Sequence, residues 1–217
     1  MTSDLQLRQD VLDELEFEPS INAAHIGVSA DHGVVTLDGF VESYAQKAAA
    51  ERAARRVRGV KAIADEIEVR LPSDHKRSDD EIASRAVDIL GWQVGFPAER
   101  IKIKVEKGVV TLTGDVEWQF QKTEAGEAVH KLTGVVGVLN QIRVASPVQA
   151  REVKETIQKA LHRTTDVEAA RITVDADGGK VILGGKVRAR YERDIAERAA
   201  WSAPGVVEVQ DRIAIEP

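Results

Sequence analysis

Residues able to do chemistry are few in this chain and poorly grouped. Its 217 residues include no cysteine, which removes thiol nucleophiles, disulfides and thiolate-bound zinc or iron–sulfur centres. Five histidines, His25, His32, His75, His130 and His162, could in principle ligate a metal or move protons. They stand at unrelated places in the repeating pattern described below, so no shared metal site is expected. No Gly-x-Ser-x-Gly run is present to hold a serine on a strained elbow. The stretch GGKVILGGK (178–186) has glycines and lysines but lacks the G-x-x-x-x-G-K-[ST] order of a phosphate loop, and reads as a hairpin turn. DADGGKVILGGK (175–186) opens like a calcium loop at Asp175 and Asp177. It then places Lys180 where glycine is needed and Lys186 where the bidentate glutamate belongs. The expectation is a protein without catalytic residues, resident metal or cofactor, and not an enzyme.

What remains is charge and a few aromatics. Thirty basic against 36 acidic residues give a net charge of −6, which argues against nucleic acid as a partner. Basic side chains nevertheless crowd in places: Arg52, Arg55, Arg56 and Arg58, then Lys186, Arg188, Arg190 and Arg193, with Lys154 on a preceding helix. The span from 146 onward is neutral overall, so the negative excess lies before it. Lys186, Arg188, Arg190, Arg193 and Lys154 are therefore the candidate contacts for an anionic surface, either phospholipid or an acidic protein, against the plainer reading of solvated helix faces. Reversing Lys186 and Arg188 should then weaken lipid binding more than reversing Arg55 and Arg56. Phe17, Trp92 and Phe96 follow helical segments. They either cap a core or form an aromatic tip for a boundary between water and an apolar phase.

These side chains are positioned by a threefold internal repeat. HGVVTLDGFV (32–41), KGVVTLTGDV (107–116) and GGKVILGGKV (178–187) share one pattern. Gly39, Gly114 and Gly185 align at separations of 75 and 71, and so do Gly33, Gly108, Gly179 and Gly59, Gly134, Gly205. Each repeat opens with an apolar stripe at i, i+4, i+8: Leu7, Val11, Leu15, then Ile82, Ala86, Leu90, then Val153, Ile157, Leu161. Ser3 with Gln6, Ser78 with Glu81 and Ser146 with Gln149 fit the capping-box spacing, and Pro147 suits a first helical position. Two strands of alternating character follow, joined through Gly33, Gly108 and Gly179 as tight turns. A second helix then ends at Gly59, Gly134 or Gly205, and a third strand closes the unit. The expected fold is α+β: three tandem two-layer αββαβ domains at 1–72, 78–145 and 146–217, with 73–77 as a linker.

The V-x-L-x-G-x-V run (Val35, Leu37, Gly39, Val41) and the G-V-x-x-V-x-N/D-x-I-x-V run (Gly134, Val135, Val138, Asn140, Ile142, Val144), with their copies, resemble the BON domain. This is the bacterial module of osmotically inducible and nodulation-associated proteins. The resemblance implies a non-enzymatic binding or scaffold protein that meets anionic phospholipid or envelope components under osmotic or envelope stress. The alternative is a cytoplasmic protein-binding or ion-responsive module. No stretch approaches the ~18 apolar residues of a membrane span. Asp4, Arg8, Asp10, Asp13 and Glu14 interrupt the first residues where an export signal would be apolar. A cytoplasmic location is expected, with the periplasm as the alternative.

Overall fold

The structure, a computed structural model, describes residues 4–92, 96–145, 150–163, 171–177 and 179–216. In the first repeat, α1 (Asp4–Phe17) is followed by β1 (Ile26–Asp31), β2 (Val34–Val41), α2 (Tyr44–Arg56), β3 (Ala62–Asp65) and β4 (Glu68–Val69). The second repeat has α3 (Asp79–Gly91), β5 (Ile101–Glu106), β6 (Val109–Val116), α4 (Gln119–His130) and β7 (Gly137–Val144). The third has α5 (Ala150–His162), β8 (Ile172–Asp177), β9 (Lys180–Val187), α6 (Arg190–Trp201), β10 (Glu208–Asp211) and β11 (Ala214–Ile215). By contacts the chain divides into two compact units. One comprises Met1–Gln93, Ile103–Thr111 and Glu127–Leu139, and the other Val94–Lys102, Leu112–Gly126 and Asn140–Pro217, so the boundary runs through the middle repeat.

The second strand is central in every repeat. β1 pairs antiparallel with β2, and β3 and β4 both pair parallel with β2; β8, β9, β10 and β11 repeat this arrangement, and the middle sheet has the order β5-β6-β7. Having neighbours on both edges, the central strand sends its alternate side chains into the core: Val35 and Leu37, Val110 and Leu112, Val181 and Leu183 are all fully buried. The i, i+4, i+8 stripes of α1, α3 and α5 are buried as their spacing predicts. They close one sheet face in the first and third repeats together with the small residues Ala50, Ala53 and Ala54 of α2, and Ala196 and Ala200 of α6.

The hairpins use two-residue turns with positive φ. His32 and Gly33 have φ of 49° and 87°, and Lys107 and Gly108 have 51° and 76°, the sign pattern of a turn whose twist matches its strands. The third strand is interrupted in the first and third repeats, which period-two alternation does not reveal. Asp65, Asn140 and Asp211 occupy equivalent places, and each side-chain Oδ1 accepts from the backbone N–H two residues on, at Ile67, Ile142 and Ile213. The turn ends β3 and β10 and drives Ile67 and Ile213 into the core.

The capping box expected at Ser78 is not what closes α3. The Ser78 side chain makes no cap hydrogen bond; its hydroxyl bonds the Asp80 carboxylate and holds it below the usual range. Ser3, Ser146, Pro147 and Gln149 lie outside the described residues. The back-reaching half of such a cap occurs on the second helices of the later two repeats. Gln121 Oε1 accepts from the backbone N–H of Glu117 and Trp118, and Glu192 Oε2 accepts from those of Arg188 and Ala189. Both side chains are buried, so leaving these amides unpaired would be costly.

Asp79 at the start of α3 accepts from both hairpin amides, Lys107 N–H and Gly108 N–H, each at 2.8 Å. Replacing Asp79 by alanine is expected to cost about 1.5–3 kcal/mol, because two charge-assisted bonds are lost together. A urea midpoint unchanged in that variant would contradict this.

Candidate functional site

Two of the five basic residues singled out from sequence, Lys186 and Arg193, form internal ion pairs. Lys186 Nζ lies 2.7 Å from Glu216 Oε1. Arg193 forms an ion pair with Asp211. Repeat alignment explains that pair, because Lys47, Lys122 and Arg193 are equivalent, and each ties the second helix to the third-strand turn. Lys47 Nζ donates to Ile67 O at 2.6 Å and sits 3.4 Å from Asp65, and the Lys122 carbonyl accepts from Asn140 Nδ2 at 2.6 Å. Arg193 is thus a clasp in the fold as well as a candidate surface contact. Arg188 and Arg190 are exposed, and Arg188 has interactions of its own; Lys154 is half-buried on α5. The comparison cluster is neutralised too: Arg55 pairs with Glu51, and Arg56 with Glu14 and Glu18. The Ser20 hydroxyl, then the Arg56 guanidinium, hold the Glu18 carboxyl below its usual range.

The aromatics behave differently. Phe17 is 84% exposed as the last residue of α1, and Trp92 is 81% exposed just past α3. Neither caps the core. They stand 75 positions apart, the repeat spacing, so they occupy one structural place in two repeats. Phe96, by contrast, is half-buried before the turn leading to β5. An exposed large aromatic leaves much apolar surface in water, and here the same place does so twice.

Asp4, Asp31 and His32 bring three ligand-type atoms within 4.8 Å of one another. The equivalent acid in the second repeat is Asp79, whose two oxygens are taken by the hairpin amides. Asp31 and His32 are open to solvent, with 3.7 Å between their polar atoms. In the second repeat this place holds the helix start to the turn.

Consecutive repeats also meet within each contact unit. Gly205 N–H donates to Glu117 O at 2.7 Å. Tyr44 packs edge-on against His130 with ring centroids 5.0 Å apart, and its phenol is hydrogen-bonded to the Val138 main chain. Burial, and then the nearby Arg52 charge, lower the His130 pKa, while Glu127 opposes them. The folded protein therefore binds that proton less readily than the unfolded chain does. His130's contribution to stability is intact above the ordinary histidine value of about 6.5 and is lost as pH falls through and below it. A His130→Phe variant should lose less thermal stability than the wild type between neutral pH and about pH 5.5; equal losses would contradict this.

The BON domain signature matches residues 3–70, 78–146 and 149–217. Osmotically-inducible protein Y of Escherichia coli (strain K12) is 32% identical over 128 residues, which are 57% of this chain. The match spans 64% of that relative's length, short of two thirds. Two solved chains of CdsD, a structural protein of the type III secretion system of Chlamydia trachomatis, align over 96% and 99% of this chain and 91% and 100% of their own. Their identities are 15% and 14% and both TM-scores are 0.28, too low to carry any argument. Among the described residues no helix is long and apolar enough to cross a membrane.

Proposed function

Since the chain belongs to the BON domain family and carries three of its modules in tandem, we propose that it is a non-enzymatic binding and scaffold protein of osmotic or envelope stress that seats on phospholipid surfaces. The observation that carries this reading is the pair of exposed helix-end aromatics, Phe17 and Trp92, at one place in two repeats. Large aromatic side chains favour a boundary that is apolar on one side and wet on the other. The osmotic setting follows the name of the Escherichia coli relative. Lys186, Arg188, Arg190, Arg193 and Lys154 add at most a salt-sensitive increment, because Lys186 and Arg193 are already paired within the fold and exposed charges are screened by salt. On the cytoplasmic reading of the sequence, the leaflet it meets is the inner one.

One observation favours a second reading, a protein partner. Glu14, Glu16 and Glu18 surround Phe17 in sequence; Arg56 offsets part of that charge through its pairs with Glu14 and Glu18, and an anionic leaflet would repel the negative charge that remains. Co-sedimentation with phosphatidylcholine vesicles, with and without phosphatidylglycerol, separates the two. Binding to both that is largely retained at high salt supports the aromatic-led reading. No binding to either at low salt rejects it in favour of the protein partner.

Reversing both Lys186 and Arg188 to glutamate should lower vesicle binding less than about five-fold. A larger drop would return the basic strand of the third repeat to the centre of the site.

A further inference from the structure

The second helices of neighbouring repeats form a groove that recurs along the chain with a different lining. Gln119, Phe120, Thr123 and Glu124 of α4, with Trp201 at the end of α6, line a cavity of about 350 Å³. One repeat earlier, Ala45, Ala48 and Arg52 of α2, with Glu127, His130 and Lys131 of α4, line about 250 Å³. A shift of 75 places Ala45 on Phe120 and Ala48 on Thr123, and a shift of 71 places His130 on Trp201. The fold supplies the same groove twice, and the sequence furnishes each with its own chemistry.

Among the described residues, the lining of the α4–α6 groove has two aromatic surfaces, one carboxylate and no cationic side chain. Phe120 is half-exposed, with the Trp118 ring centroid 6.1 Å away. Trp201 packs its inner side on the core of the third repeat, which fixes the indole in place. The Thr123 hydroxyl is turned back to Gln119 O, so few polar groups in the lining remain to replace a hydration shell. A small inorganic cation would have to keep its water. An anion would meet the Glu124 charge and the negative faces of the rings. A cation with an apolar shell satisfies both features, with methyl groups on the aromatic surfaces and positive charge toward the carboxylate.

We propose that the α4–α6 groove binds a free quaternary ammonium cation, a trimethylammonium group held by Trp201, Phe120 and Glu124. The groove between α2 and α4 is the internal control. With Ala45 in place of Phe120, the His130 imidazole in place of the Trp201 indole, and Arg52 and Lys131 in its lining, it offers such a ligand a poorer aromatic surface and opposing positive charge.

The test is a titration of the full chain with choline chloride against matched sodium chloride, following the tryptophan indole N–H resonances. The Trp201 resonance should shift and saturate with a dissociation constant on the order of millimolar, while that of Trp92 stays still. Glu124→Gln should weaken binding about five-fold or more, and Arg52→Ala should leave it unchanged. Glu124 is exposed, so its neutralisation keeps the fold, which the dispersion of the spectrum checks. Three results would overturn the proposal: a shift that does not saturate, an equal response to the uncharged isostere 3,3-dimethylbutan-1-ol, or full binding by Glu124→Gln. Phosphocholine should bind more weakly than choline because its phosphate adds negative charge near Glu124. Tighter binding of phosphocholine would instead assign the groove to a lipid headgroup and overturn the free-cation proposal.

Discussion

Alanine at Gly39, Gly114 or Gly185 is expected to cost about 3 kcal/mol or more at each site. Two separate constraints act at once. Their φ values are 101°, 137° and 104°, where a side chain is strained whatever the space around it. A Cβ would also lie 2.0–2.1 Å from the carbonyl oxygen of His25, Arg100 and Arg171 respectively. That neighbour is backbone on the adjacent strand, so relief requires pulling the hairpin apart where Ile26 faces Gly39 and Ile172 faces Gly185. Gly91 is the contrasting control. It ends α3 with nothing within 4 Å of a built Cβ, and alanine there should be neutral or stabilising by up to about 1 kcal/mol. Urea denaturation of the four variants measures this, and equal midpoints for Gly39→Ala and Gly91→Ala would contradict it.

Phe17→Ser combined with Trp92→Ser is expected to lower vesicle binding at least about ten-fold, since each side chain carries on the order of 150–250 Å² of surface that could leave water. Both are over four-fifths exposed, so the fold does not depend on them, and the thermal midpoint should stay within what about 0.5 kcal/mol would produce. That separation distinguishes a contact residue from a structural one. Phe96→Ser, half-buried, should instead lower stability and leave binding per folded molecule nearly unchanged.

The αββαβ order was readable because its signals are local. Three glycines per repeat, each at a positive φ, recur at two fixed separations, and an i, i+4 stripe needs only one helix to be seen. The break in the third strand was within reach as well: the N/D two residues before Ile67, Ile142 and Ile213 is the turn former. The exposure of Phe17 and Trp92 also had a signal. Each lies two residues past the last stripe residue, Leu15 or Leu90, a rotation of about 200° that points it away from the core. What local pattern could not supply was pairing across the fold. Lys186 and Glu216 are 30 positions apart and meet only because β11 lies parallel beside β9. The capping expectation failed at Ser78 for a similar reason. S-x-x-E at Ser78 is correct spacing, but Asp79 and Asp80 compete for the same groups, and the hairpin turn recruits Asp79.

If Trp92 enters a lipid interface, its own fluorescence reports the change of surroundings. Trp118→Phe with Trp201→Phe leaves Trp92 as the single tryptophan. With saturating phosphatidylcholine–phosphatidylglycerol vesicles its emission should move to the blue, and lipids brominated on the acyl chain should quench it. Emission that stays at its aqueous position, unquenched by brominated lipid while the protein co-sediments, would contradict the account.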